Sequence, residues 1–192
     1  MEHKGTKRLE TPRLILRRFA VEDAPAMYKN WASDPDVTKF MTWPPHADTS
    51  VTESILRDWV PKYDDPAYYQ WAIVFKPFST QEPIGSIAAV RVVDALRMAH
   101  IGYCIGKAWW HQGVTSEALQ CVIDFLFDEV GMNRIEALHD PRNPHSGGVM
   151  KKCGMLYEGT RRQGDGNNQG ICDADCYAIL ACDRVALKDR QL

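Results

Sequence analysis

Residues 101–130, IGYCIGKAWWHQGVTSEALQCVIDFLFDEV, decide how this chain folds. Ile101 to Ile105 is apolar and aromatic with Gly102 inside, the pattern of a buried strand that lets another backbone approach closely. Lys107 to Ser116 reads as a turn carrying Trp109, Trp110 and Gly113. Ser116 to Val130 reads as a helix, because Ala118, Leu119, Val122, Ile123, Leu126 and Val130 recur at helical spacing on one face. Ser116 or Thr115 is placed to cap it through its hydroxyl, and Glu117 suits the positive end of the helix dipole.

A strand, a glycine turn and a helix start make a site for an anion. The amides of Gly113, Val114, Thr115 and Ser116 would converge on one spot, and Gly113 would leave the backbone open to approach. Each dipole interaction is worth only ~0.3–1 kcal/mol, so a cluster of amides is needed to hold a diphosphate. Spacing alone leaves a second reading open, in which Gly113 is a plain turn glycine.

The flanking chain supplies a sheet. Leu9 to Phe19 alternates after Thr11-Pro12 and predicts a first strand. Residues 22–32 predict a short helix through Ala24, Met27, Tyr28 and Trp31, broken at Asp34-Pro35. Val37 to His46 reads as an apolar loop; a second helix from Asp48 or Thr49 to about Lys62 would turn Val51, Ile55, Trp59 and Val60 inward. Tyr69 to Lys76, Ile84 to Val93 and Arg97 to Ile105 predict three antiparallel strands. Asn133 to His139 follows the long helix closely and should lie parallel to the Ile101 strand. A short helix from Gly147 to Lys152 and strands Met155–Arg162 and Ile171–Ala181 follow, joined by a flexible loop, Gln163 to Gly170. The tail 185–190 should fray. Counted along the chain, this is a mixed α/β domain over residues 1–192. It has seven mostly antiparallel strands with a parallel pair at the centre, and about four flanking helices.

The totals narrow the function. A formal charge of −2 over 192 residues gives no electrostatic case for nucleic acid or an anionic membrane. The opening MEHKGTKRLETPR has no apolar core for a secretory signal, and no apolar run has the length of a membrane span. Six cysteines without a Cys-x-x-Cys pair predict reduced thiols in a cytoplasmic protein. Histidines scattered without ligand spacing predict no metal site. No lysine follows Gly113, which excludes the Gly-Lys-Ser/Thr loop of phosphate-binding NTPases.

Trp110-His-Gln-Gly113-Val-Thr-Ser-Glu117-Ala118-Leu119 resembles the acetyl-CoA diphosphate loop of the GNAT superfamily of N-acetyltransferases, in the branch of the bacterial ribosomal-protein alanine and serine N-acetyltransferases. It departs from that branch at His111, where glycine is common, and at Thr115, where Gly or Ala is usual. Thr-Pro-Arg-Leu-Ile-Leu-Arg at residues 11–17 resembles the family's opening segment. Asn143-x-x-Ser146, followed by Lys-Lys-Cys-Gly-Met, resembles its second cofactor motif. The resemblance implies acetyl-CoA as co-substrate, held by the backbone of Ile101, Tyr103 and Ile105, by Gln112, Gly113, Val114, Thr115 and Ser116, and by Asn143, Ser146 and Lys151. It implies an amine acceptor, either a protein N-terminus or a small molecule, in a cleft where Trp43 and Tyr69 are candidate walls, and a monomer or homodimer.

Acetyl transfer to an amine sets three demands. The amine must be neutral although a lysine amine has a pKa of ~10.4 and an α-amine ~8. The carbonyl oxygen needs donors, and the departing thiolate needs a proton. Splayed strand amides meet the second demand, and Ser146 or Tyr157 the third. For the first, His100 stands where the family often has Glu, Asp165 matches an acidic position of the closest relatives, and a water relay without a base is a third route. The competing class is a catalytically silent acyl-CoA-binding module, kept open by His100 and Thr115.

Overall fold

Eight strands form one mixed sheet in the computed structural model, which describes residues 1–77 and 80–184. The spatial order is β1 (Leu9–Glu10), β2 (Leu14–Arg17), β3 (Gln70–Phe75), β4 (Pro83–Val93), β5 (Met98–Ile105), β6 (Arg134–His139), β8 (Gly170–Leu180) and β7 (Leu156–Asn167). Every neighbouring pair is antiparallel except β5 and β6. The central parallel pair and the antiparallel flanks match the sequence reading; the expected fraying of 185–190 lies outside the described residues.

The extra strand comes from residues 9–19, which are two strands rather than one. Thr11 and Pro12 fold them back so that Leu9 pairs with Leu16. The turn closes with Thr11 N–H donating to the Leu14 carbonyl at 3.0 Å and Leu14 N–H to Thr11 Oγ1 at 2.9 Å. Proline has no N–H to give a ladder, so the chain turns where a continuous strand would lose a bond.

Helices cover both faces. On one lie α1 (Ala24–Met27, running on as a wide turn Tyr28–Ala32), α2 (Pro35–Thr38) and α3 (Thr49–Trp59). On the other lie α4 (Val114–Phe125, continued by Leu126–Val130) and α5 (Pro144–Lys152). Ala118, Leu119, Val122, Ile123 and Leu126 of α4 are fully buried against Leu16, Trp71, Ile73, Ile101 and Ile135 of the sheet. Phe19, Met27, Trp31, Leu56 and Tyr63 form the second core with Ala72 and Cys104. The helical spacing read from α4 therefore becomes the larger core directly.

Of the residues expected inward from α3, Trp59 and Val60 pack on the second core, but Val51 does not. Asp48 caps the helix as read, accepting from Ser50 N–H at 2.8 Å and Val51 N–H at 3.2 Å. The buried positions are Thr52 and Leu56, while Val51 is 38% exposed. A bond of 2.8 Å between His46 Nδ1 and Thr52 Oγ1 satisfies the polar residue where it is buried. The Gln163–Gly170 stretch is also not a loop. β7 and β8 stay paired to Asn167 and Gly170, with a bulge between Arg161 and Asp165 taking up the register and Gln163 at φ 47°.

Leu56→Ala should cost about 2–5 kcal/mol in urea denaturation, whereas Val51→Ala should stay within ~0.5 kcal/mol. Equal costs would contradict the assigned face.

Candidate active site

The parallel ladder of β5 and β6 is three pairs long: Met98 with Arg134, Ala99 with Ile135 and His100 with Glu136. β5 runs on to Ile105 and β6 to His139, but they pair no further. The strands part there, and the backbone groups of β5 that face β6 lose their ladder partners beyond His100. A cavity of about 420 Å³ opens in the gap. Tyr103 and Ile105 line it from the α4 side of the strand, Cys104 from the other, and Val37 and Met41 from the α2 layer, so it passes through the sheet.

At the α4 end, Gly113 precedes the helix in the left-handed region at φ 73°. The first helical bond is Glu117 N–H to the Gly113 carbonyl at 3.0 Å, and no side chain caps the turn. Thr115 and Ser116 lie inside the helix and not at its cap, because the chain enters the helix at Val114. The amides of Val114, Thr115 and Ser116 thus precede the first acceptor of the helix, and all three residues line the cavity. His111 has φ 60°, which explains why glycine is common there in the resembling branch. Its ring meets that of His145 at 4.6 Å, edge to face, beside the cavity.

A clamp missed by the sequence reading holds this turn. Arg13 Nε donates to Glu117 Oε2 at 2.7 Å and Arg13 Nη1 to the Gln112 carbonyl at 3.1 Å, while Thr11 Oγ1 donates to Glu117 Oε1 at 2.5 Å. Burial pushes the Glu117 carboxyl up, but the bonds from Thr11 and Arg13 outweigh it and hold the group below its ordinary 4.5. The partners lie about a hundred residues apart, so no local pattern links them.

At the opposite lip, Tyr103 OH donates to the Ser146 carbonyl at 3.0 Å and shares a second 3.0 Å bond with Ser146 Oγ. Asn143 lines the cavity just before α5, and Trp110 Nε1 donates to the Ile105 carbonyl at 3.0 Å. The structure therefore brings Tyr103, Ile105, Gly113, Val114, Thr115, Ser116, Asn143 and Ser146 together around one cavity.

Other candidates fall elsewhere. Ile101, proposed for its backbone, turns its side chain into the core, which leaves that role untouched. Gln112 turns back, its Nε2 donating to the Ala108 carbonyl at 2.8 Å. Lys151 lies over the Tyr177 ring, and Lys152 faces the cavity instead. Tyr69 is no cleft wall: its ring is buried beside Trp71 and Phe125, with its hydroxyl bonded to His3 Nδ1 at 2.9 Å. Trp43 packs on His46 and does not line the cavity, where Val37 and Met41 form the wall. Tyr157 is 53% exposed on β7, with its hydroxyl 2.6 Å from Thr160 Oγ1. Asp165 is exposed on the same strand, accepting from Gly166 N–H at 2.8 Å. His100 stands at the vertex of the gap, 3.3 Å from Glu136 Oε1 through Nδ1.

Residues 13–156 match the family model described as Acetyltransferase (GNAT) domain. The uncharacterized N-acetyltransferase p20 of Bacillus licheniformis is 32% identical over 176 residues, covering 90% of this chain and 95% of that protein. Among solved structures, a ribosomal L7/L12 alpha-N-protein acetyltransferase in complex with coenzyme A superposes with a TM-score of 0.79 at 18% identity, over 91% of this chain and 98% of that one. The microcin C7 self-immunity acetyltransferase, in complex with acetyl-CoA and AMP, gives a TM-score of 0.78 at 18% identity, over 88% and 93%. At such identities these two show a shared fold.

Because the folded pKa of Glu117 lies below its unfolded value, its clamp stabilises fully above about pH 4.5 and the contribution is lost as pH falls through the folded pKa. Glu117→Gln should therefore lower stability at pH 7 and flatten its dependence on pH below about 4.5. Thermal melts across that range check this; an unchanged acid slope would contradict it.

Proposed function

The chain belongs to the GNAT acetyltransferase family and is an N-acetyltransferase, and we propose on that premise that it moves the acetyl group of acetyl-CoA onto a primary amine. The observation that carries this reading is the row of uncapped amides, Val114 to Ser116, at one end of a cavity that crosses the sheet. The diphosphate would sit on those amides, where the helix dipole favours an anion. Lys152, on the cavity wall, would add charge. The pantetheine arm would follow the unpaired edge of β5 toward Asn143, taking the place of the missing strand.

The thioester would then lie at the parting of the strands, where β5 amides without a ladder partner can receive the charge that grows on the carbonyl oxygen. The acceptor amine enters from the Val37 and Met41 side, attacks the carbonyl carbon, and the C–S bond breaks as the C–N bond persists. The leaving sulfur takes its proton from the Tyr103–Ser146 pair, which the tetrahedral ammonium re-protonates. Burial pushes the Tyr103 phenol well above its ordinary range, so it keeps its proton at neutral pH. This pair replaces Tyr157, whose exposed position on β7 is away from the cavity.

The acceptor is a protein N-terminus or a small-molecule amine; the L7/L12 enzyme, similar in fold, is named for the first kind. The chain would act as one domain, monomeric or homodimeric. Its six cysteines, all free, fit the cytoplasm.

Gly113→Glu should abolish binding of coenzyme A with the melting curve retained; unchanged affinity in a calorimetric titration would overturn the site. Ser146→Ala and Tyr103→Phe should each slow turnover about ten-fold or more while shifting coenzyme A affinity less. Binding by the wild type without thiol release across an amine panel would favour the silent module.

A further inference from the structure

Residues 39–47 carry Met41, which with Val37 of α2 walls the cavity on the side where the acceptor enters, and they hold no helix or strand. Such a stretch has no ladder to fix it, so its carbonyls must be met from outside. The bonds come from the far end of the chain. Asn168 lies in the tight turn of the β7–β8 hairpin, where Asn167 pairs with Gly170. Asn168 Nδ2 donates to the Thr38 carbonyl at 2.8 Å and to the Trp43 carbonyl at 2.7 Å, and its N–H donates to the Met41 carbonyl at 3.1 Å. Both acceptors of the side chain are carbonyls, so the amide nitrogen and not the oxygen faces them, and both of its hydrogens are used. One residue thus spans the segment from Thr38 to Trp43, with Met41 between.

The turn that presents Asn168 is itself fastened. Asn167 Oδ1 accepts from Gln169 N–H at 2.7 Å inside the turn, while Asn167 Nδ2 donates to Asp140 Oδ2 at 2.9 Å. The Asp140 side chain is only 2% exposed and also accepts from Arg142 Nη2 at 2.6 Å. Asp140 directly follows β6, so the hairpin tip is tied to the end of a central strand.

We propose that Asn168 is a positioning residue for the acceptor: from the hairpin tip it holds Met41 and its neighbours in the shape that receives the amine. The proposal rests on the acetyl-transfer reading. Val37 and Met41 are apolar, so they meet the carbon frame beside the nitrogen and select by its shape. A wall already in place spares the acceptor the cost of ordering it. A loose wall adds that cost to binding and separates one frame from another less well. The bond-making step is left alone, so the change falls on KM. The tip lies outside both apolar cores, and its bonds can be removed with the fold standing.

The test is steady-state acetylation by the full chain, with acetyl-CoA and the best substrate of an amine panel. Asn168→Ala should raise the KM for the amine five-fold or more, with kcat and the calorimetric affinity for coenzyme A each within two-fold. It should also narrow the ratio of kcat/KM between the best amine and one longer by a methylene. Asn168→Asp, which keeps the size but turns a carboxylate on the carbonyls, should do the same. Gln169→Ala, in the same turn but with a side chain that has no part in these bonds, should change none of these values. Amide hydrogen exchange of residues 39–47 should quicken in Asn168→Ala with no substrate present. An amine KM that stays within two-fold in both Asn168 variants, or a loss of kcat and coenzyme affinity that matches the rise in KM, overturns the role of Asn168 alone. A wild type that binds coenzyme A but acetylates no amine overturns the transfer reading, and the role of Asn168 with it.

Discussion

Two parallel strands that stop bonding to each other halfway are the constraint on which the rest of this molecule depends. Backbone amides and carbonyls inside a protein must find partners, and an interrupted central ladder leaves a row of them without one. The chain tolerates this because each lip of the gap is tied down separately. Trp110 bonds the Ile105 carbonyl on one side, and Tyr103 reaches across to Ser146 at the start of α5 on the other. Beside the gap, the apolar face of α4 packs on the sheet through Ala118, Leu119, Val122 and Ile123.

The layers on either side take different work. The α4 and α5 side presents backbone: a left-handed glycine, a run of uncapped amides and the arginine clamp that holds their turn. The α1 to α3 side presents side chains on a segment with little regular structure, residues 39–47. That segment is pinned from outside. Asn168, at the tip of the β7–β8 hairpin, donates through Nδ2 to the carbonyls of Thr38 at 2.8 Å and Trp43 at 2.7 Å, and its N–H reaches Met41 at 3.1 Å. Lys107 pairs with Asp36 from the other direction. An anion held by backbone is insensitive to side-chain identity, whereas an acceptor wall made of side chains sets specificity by sequence.

Much of this was legible before the fold was known, and the reason is periodicity. The α4 face, the strands around it and the parallel crossover follow from apolar spacing over a dozen or more residues, where one reading dominates. The glycine turn at Gly113 was legible through a short motif, but the helix starts at Val114 without the side-chain cap expected from Thr115 or Ser116. What escaped were contacts between distant segments. Arg13 and Glu117, or His100 and Glu136, become partners only when the topology places their strands side by side. Tyr69 misled because an aromatic near a cleft segment reads the same whether it faces the core or the opening. Residues 163–170 misled because glycines that absorb a bulge look like glycines that make a loop.

The most direct measurement is a crystal structure with coenzyme A bound. The diphosphate should lie within hydrogen-bond distance of the amides of Val114, Thr115 and Ser116, with the thiol end between Tyr103 and Ser146 where the strands part. A coenzyme bound elsewhere, or one whose phosphates are kept off those amides by the Thr115 side chain, would contradict the account.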